Sequence, residues 1–113
     1  MIEFESEALS LKILVTAFDA FDGESTNPAL EAVHRLDTHI GEHVITKLEI
    51  PTVFHESKNV ICKALKEDTY DVVLAIGQAG GRFEITPERV GINIDDARIP
   101  DNKGNQPIDK VIK

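Results

Sequence analysis

Two phenylalanines three residues apart, Phe18 and Phe21, stand among polar and small neighbours in the stretch TAFDAFDGESTNP. Rings presented in this way on a loop can hold a small planar or cyclic group between them by dispersion and stacking, whereas rings folded back onto the core are the alternative reading of the same spacing. A second candidate is the turn GQAGG, from Gly77 to Gly81. It is not G-x-G-x-x-G, and Arg82, Phe83 and Glu84 do not open an amphipathic helix, so nucleotide binding is disfavoured. Its glycines suit positive φ or a close backbone approach that would expose amides to a ligand. The one cysteine, Cys62, lies in VICKAL beside apolar positions and reads as a small hydrophobe. A nucleophile is expected at a loop or helix start with a base in reach. His34, His39 and His43 straddle Gly41 and lack the i, i+4 spacing joined to a glutamate that zinc sites use. Asp95, Asp96 and Asp101 have the oxygens for a hard cation, but a solvated loop pairing with Arg98 is the preferred reading. Neither a metal nor a cofactor is expected.

These residues need elements to place them. LKILVTA, from Leu11 to Ala17, is a short apolar, partly β-branched run that predicts a buried strand. Asn27 followed by Pro28 predicts a helix start, because Asn can cap free amides and Pro is pre-set for the first helical position; the helix continues through Leu30, Val33 and Leu36. Val44 to Ile50 reads as a second strand stopped by Pro51. Ser57 to Asp68 carries Val60, Ile61, Ala64 and Leu65 at helical spacing, with His55 at its opening. DVVLAI, from Asp71 to Ile76, is a third strand, and VGINID near Val90 suggests a fourth. The alternation predicts an α/β fold, a largely parallel sheet flanked by helices in an α/β/α sandwich. Ligands of such sheets collect beyond the carboxyl ends of the strands, where TAFDAFDGESTNP and GQAGGRFEITPE would converge. Residues 1–10 read as an N-terminal extension and 11–113 as a single α/β domain.

The 113 residues suffice for one core, and 42% hydrophobic with 28% charged residues is the balance of a globular chain. A net charge of -8 opposes binding to nucleic-acid phosphates, which depends on Lys and Arg releasing counterions. No apolar run approaches the roughly 20 residues of a membrane helix, and Glu3, Glu5 and Glu7 replace a basic leader, so no membrane association and a cytoplasmic location are expected. A single cysteine, which excludes an internal disulfide, fits a reducing compartment.

The segments GQAGGR, ITPERV, INIDDARIPDN and GNQPID, together with TAFDAFDGESTNP and IPTVF, resemble the N-terminal half of pyroglutamyl peptidases over roughly positions 11 to 109. That family removes an N-terminal pyroglutamyl residue from peptides with a Cys, His and acidic triad on an α/β sandwich. The resemblance implies that Glu88 is the triad acid, that Phe18 and Phe21 clasp the lactam, and that Thr52, Gln78 and Ile99 neighbour it. Arg98 matches a residue near the reacting carbonyl. Without the resemblance, Glu88 reads as a surface acid beside Arg89. The family's first loop usually runs TGFDPFGG, and here Ala17, Ala20 and Asp22 replace Gly, Pro and Gly; Asp tolerates positive φ better than most residues. The stretches in which the family carries its nucleophilic Cys and its His have no counterpart up to Lys113, so the chain alone is expected to be inactive. Peptides with an N-terminal pyroglutamate are the implied partners, with a homo-oligomer or a completing chain left open. The other reading is a truncated, non-catalytic module that binds such peptides or assembles with another chain.

Overall fold

The structure is a computed structural model that describes residues 10–113, so the extension expected over residues 1–10 lies outside the described residues except for Ser10. Its centre is β1 (Lys12–Phe18). The chain continues through α1 (Pro28–His34), a short β2 (His39–Ile40), β3 (His43–Ile50), α2 (Glu56–Glu67) and β4 (Val72–Ile76). The sheet order is β2-β3-β1-β4. β1 runs parallel to β3, with Ile13 opposite Ile45 and Phe18 opposite Ile50, and parallel to β4, with Ile13 opposite Val72 and Ala17 opposite Ile76. The sheet is therefore mostly parallel, as the alternation of elements predicts. β2 is a short antiparallel addition to β3, turned at Gly41 with φ 60°. Two exposed residues leave no periodic signal, which is why the sequence does not announce it.

The two faces of the sheet follow from chain direction. From β1 the chain moves one way across the sheet to β3, and from β3 it returns past β1 to β4. Right-handed crossovers in opposite directions put their helices on opposite faces, which is the α/β/α arrangement expected. On one face Val15, Ala17 and Ile45 pack with Leu30 and Val33 of α1, joined at the rim by Ile13, Leu36 and Ile76. The other face includes Leu14, Thr16 and Ile50, all buried. α1 starts where Asn27 and Pro28 predict: Asn27 Oδ1 accepts the Ala29 N–H at 2.9 Å, and Pro28 occupies the first turn.

α2 corrects the reading of Cys62. The partly buried stripe of this helix is Ser57, Val60, Ile61 and Ala64, while Cys62 and Leu65 are exposed. At about 100° per residue Cys62 falls off the stripe that faces the sheet. His55 stands at the helix entrance as expected, with φ 68° and no side-chain cap bond.

The fourth strand near Val90 does not join the sheet. Instead β5 (Ile94–Asp95) pairs antiparallel with β6 (Lys110–Val111) in a separate two-stranded ribbon. Ile94 pairs with Val111 and Asp95 with Lys110, across the loop that both strands flank. Among the described residues, β4 is paired on one side only. Its Val73 and Leu74 are 45% and 50% exposed, and the side chains of Phe83, Ile85, Val90 and Ile92 beyond it are exposed as well.

Thr16 lies at the centre of β1 with 1% exposure, and its Oγ1 has no hydrogen-bond partner among the described residues. A desolvated, unpaired hydroxyl costs roughly 1–3 kcal/mol, and an apolar group of the same shape removes that cost. Thr16→Val is accordingly expected to raise stability by about 1 kcal/mol in urea denaturation. A destabilised variant would show that the hydroxyl has a partner.

Candidate functional site

Three segments meet beyond the carboxyl ends of β1 and β3. The first is the loop after β1, where Glu24 N–H donates to Phe21 O at 3.1 Å across Asp22 and Gly23. Both central residues are left-handed, at φ 56° and 73°, so Asp22 accepts the positive φ expected of it in place of a glycine. The second is Pro51 to Phe54, between β3 and α2. The third is the segment 97–105, which lies between β5 and β6. Together they line an open cavity of about 500 Å³, walled by Phe21, Thr52, Phe54, Ala97, Arg98, Ile99, Pro100 and Asp101. That volume suits a small ligand.

Of the residues singled out from sequence, the cavity wall brings together Phe21, Thr52, Arg98 and Ile99. Phe18, Gln78 and Glu88 are not part of it. Phe18 is the last residue of β1 and only partly buried. Gln78 and Glu88 lie in the exposed stretch that follows β4. Glu88 is 74% exposed along its side chain and accepts a hydrogen bond from Arg82 Nη1 at 2.8 Å, so its cationic neighbour is Arg82, not Arg89. Arg82 Nη1 also donates to Thr86 Oγ1 at 2.9 Å, which ties this stretch to itself. Among Gly77, Gly80 and Gly81, only Gly81 adopts the positive φ anticipated for the turn, at 84°.

Phe54, Ala97 and Pro100 are wall residues that the sequence does not single out, and Asp101, weighed there only as a cation ligand, joins them. Phe54 sits in IPTVF and Asp101 in INIDDARIPDN, both marked as similar to the family, but no spacing rule brings positions 54 and 101 together. The hydrogen bonds do. Asp101 Oδ2 accepts from Phe54 N–H at 2.8 Å and from Asn105 Nδ2 at 2.9 Å, while Oδ1 accepts from the N–H groups of Lys103 and Asn105 at 2.8 and 2.9 Å.

This corrects the expectation that the aspartates of this loop pair with Arg98. Asp95 Oδ2 faces His55 Nε2 at 3.6 Å, Asp96 Oδ1 accepts the Asp109 N–H at 2.9 Å, and Asp101 is filled by its four donors. Backbone amides already fixed by a tight loop satisfy a carboxylate without ordering a long arginine side chain. Thr52 is committed in a similar way. Its hydroxyl donates to Asp19 Oδ1 at 2.8 Å, and its N–H donates to the same oxygen at 2.9 Å. The hydroxyl hydrogen is therefore spent inside the protein.

Partial burial pushes the Asp101 carboxyl upward in pKa, but donation from the Asn105 side chain and from the N–H groups of Phe54, Asn105 and Lys103 outweighs it, lowering the pKa from 3.8 to about 2. Because the folded value is depressed, the stabilisation is complete above about pH 4 and is lost as pH falls toward 2. The Phe54 and Asn105 amide resonances should be steady above pH 4 and titrate with a midpoint near 2. A midpoint at the ordinary 3.8 counts against the four-donor arrangement.

Comparisons with known proteins bear on the family of the chain. Residues 11–113 match the sequence model of the family described as pyroglutamyl peptidase. The chain is 75% identical over 103 residues to the pyrrolidone-carboxylate peptidase of Staphylococcus haemolyticus, covering 91% of this chain and 49% of that protein. It is 59% identical over 99 residues to the pyrrolidone-carboxylate peptidase of Clostridium perfringens, covering 88% of this chain and 46% of that one. The crystal structure of Bacillus amyloliquefaciens pyroglutamyl peptidase I superposes with a TM-score of 0.87 at 48% identity, over 92% of this chain and 51% of that one. A mutant pyrrolidone carboxyl peptidase from Pyrococcus furiosus superposes with a TM-score of 0.85 at 39% identity, over 91% and 50%. The chain thus spans about half the length of the relatives it matches. With the family's sequence model matching residues 11–113 and the fold superposing on its solved structures, the chain belongs to the pyroglutamyl peptidase family.

Proposed function

We propose that this chain forms the pyroglutamyl-binding half of a cysteine-type pyroglutamyl peptidase, which cleaves the bond after an N-terminal pyroglutamate. The observation that carries the reading is the cavity, which joins Phe21, Thr52, Arg98 and Ile99 in a chain so similar to peptidases of that name. A lactam is small, flat and mostly apolar on its faces, which suits a wall of Phe21, Phe54 and Ile99. Arg98 supplies a cation near the acyl end of such a ligand.

The covalent chemistry requires groups outside this cavity. In the reaction of the family, a thiolate attacks the amide carbonyl, an imidazolium passes its proton to the departing amine, and water then hydrolyses the thioester to release free pyroglutamate. A carboxylate orients the imidazole, and Glu88 is the residue we assign to that role. Exposed and tethered by one guanidinium, it is accessible to a histidine supplied from the rest of a full-length protein. Cys62 is a poor substitute nucleophile, being on α2 and not in the cavity wall. On this reading the isolated chain binds but does not turn over.

A second reading, a non-catalytic module that assembles with another polypeptide, is favoured by one observation: the apolar side chains of β4 and of the stretch after it that stand exposed among the described residues. Both readings take peptides with an N-terminal pyroglutamate as partners and the cytoplasm as location. Among the described residues, no helix is long and apolar enough to cross a membrane.

Calorimetry with pyroglutamyl amide should detect binding to the 113-residue chain, and Phe21→Ala should weaken it about tenfold, the scale of one lost aromatic contact. Equal affinity of the variant removes Phe21 from the site. A fluorogenic pyroglutamyl amide should release no fluorophore in the presence of the chain alone. Clear release sinks the division of labour described above.

A further inference from the structure

The segment 97–105 brings Arg98 and Ile99 to the cavity, yet it belongs to neither helix nor sheet. Its attachment to the strand ends runs through a small set of polar contacts. Asp19, the first residue after β1, donates its N–H to Ile50 O at 2.9 Å, which fixes it against the end of β3. Its Oδ1 then gathers three donors: Thr52 N–H at 2.9 Å, the Thr52 hydroxyl at 2.8 Å and Asn102 Nδ2 at 3.2 Å. Asn102 makes two further bonds. Its N–H donates to Thr52 O at 3.0 Å, and its Nδ2 donates to Ala20 O at 2.8 Å. The Asp19 carbonyl also accepts Asn27 Nδ2 at 3.2 Å, linking the same point to the start of α1.

From this geometry we propose that Asp19 and Asn102 are a positioning pair that hangs the segment 97–105 from the ends of β1 and β3 and so sets the width of the cavity between Phe21 and Ile99. The proposal rests on the lactam-binding reading for the ligand, but not for the positioning. Asp19 is one charge serving three donors from two segments, and Asn102 is one side chain reaching a carboxylate and a carbonyl of the Phe21 loop. Neither residue is part of the cavity wall. They act through the residues they hold.

The test uses the 113-residue chain with Asn102→Ala, a substitution at an exposed position, and Asp19→Asn beside it. Amide hydrogen exchange reads the positioning directly. Asn102→Ala should speed exchange at Phe54, Asp101 and Asn105, while the amides of β1 and β3 keep their protection. Affinity for pyroglutamyl amide should fall about tenfold, the scale of one hydrogen bond to a charged group. Asp19→Asn, which keeps an acceptor but loses the charge, should show the same effects to a smaller degree. Unchanged exchange across 97–105 in Asn102→Ala overturns the proposal whether or not the probe binds. Faster exchange that spreads equally through β1 and β3 overturns it as well, because it marks a general loss of stability. If the unaltered chain has no affinity for the probe, the lactam-binding reading fails, and the exchange pattern alone decides on the positioning pair.

Discussion

Parallel pairing of β1 along both of its edges is the constraint on which the remaining structure depends. A strand flanked by partners and covered on both faces favours apolar side chains, which accounts for the buried Leu14, Val15 and Ala17 and leaves the hydroxyl of Thr16 between them without a partner among the described residues. The same pairing brings the carboxyl ends of β1 and β3 side by side, with Phe18 opposite Ile50. Every residue of the cavity wall comes from a loop anchored at those two ends or from the segment tied to them. The register of one strand thus decides where a ligand can sit.

Between the strand ends and the cavity stand two carboxylates that accept from donors within the protein. Asp19 and Asp101 each collect several N–H or O–H donors, and those donors belong to segments that carry wall residues. Backbone amides in loops have no partner of the kind that helices and sheets provide, so a buried or half-buried loop needs such acceptors. In a chain with 20 acidic residues, some of the negative charge serves this internal purpose and not solubility.

The elements that were legible in the sequence are those with strong local rules. Asn27 and Pro28 mark a helix start because a cap and a fixed φ are local properties, and β1, β3 and β4 show as short apolar runs for the same reason. The four wall residues Phe21, Thr52, Arg98 and Ile99 were legible through the resemblance, with Phe21 also visible from its polar surroundings. Less was readable where partners lie far apart in sequence. Asp101 and Phe54 meet across 47 positions, and Asp19 and Asn102 across 83, so no spacing rule reports either contact. VGINID contributes Ile94–Asp95 to a separate ribbon and not to the main sheet, because an apolar run says that pairing is favourable without saying with what. Cys62 has apolar neighbours in sequence yet stands exposed, because adjacency on a helix is a rotation of about 100° in space.

The open side of β4 has a consequence for the chain as a colloid. Its backbone groups and the half-exposed Val73 and Leu74 offer any second strand both hydrogen bonds and apolar contact. Against this stands a net charge of -8, which makes two copies repel at distance. The two effects have different ranges: repulsion acts over a Debye length, about 8 Å at physiological ionic strength, while strand pairing acts only at contact. Ionic strength therefore decides how often two such edges come close enough to meet, and dissolved salt becomes a control on the association of this edge.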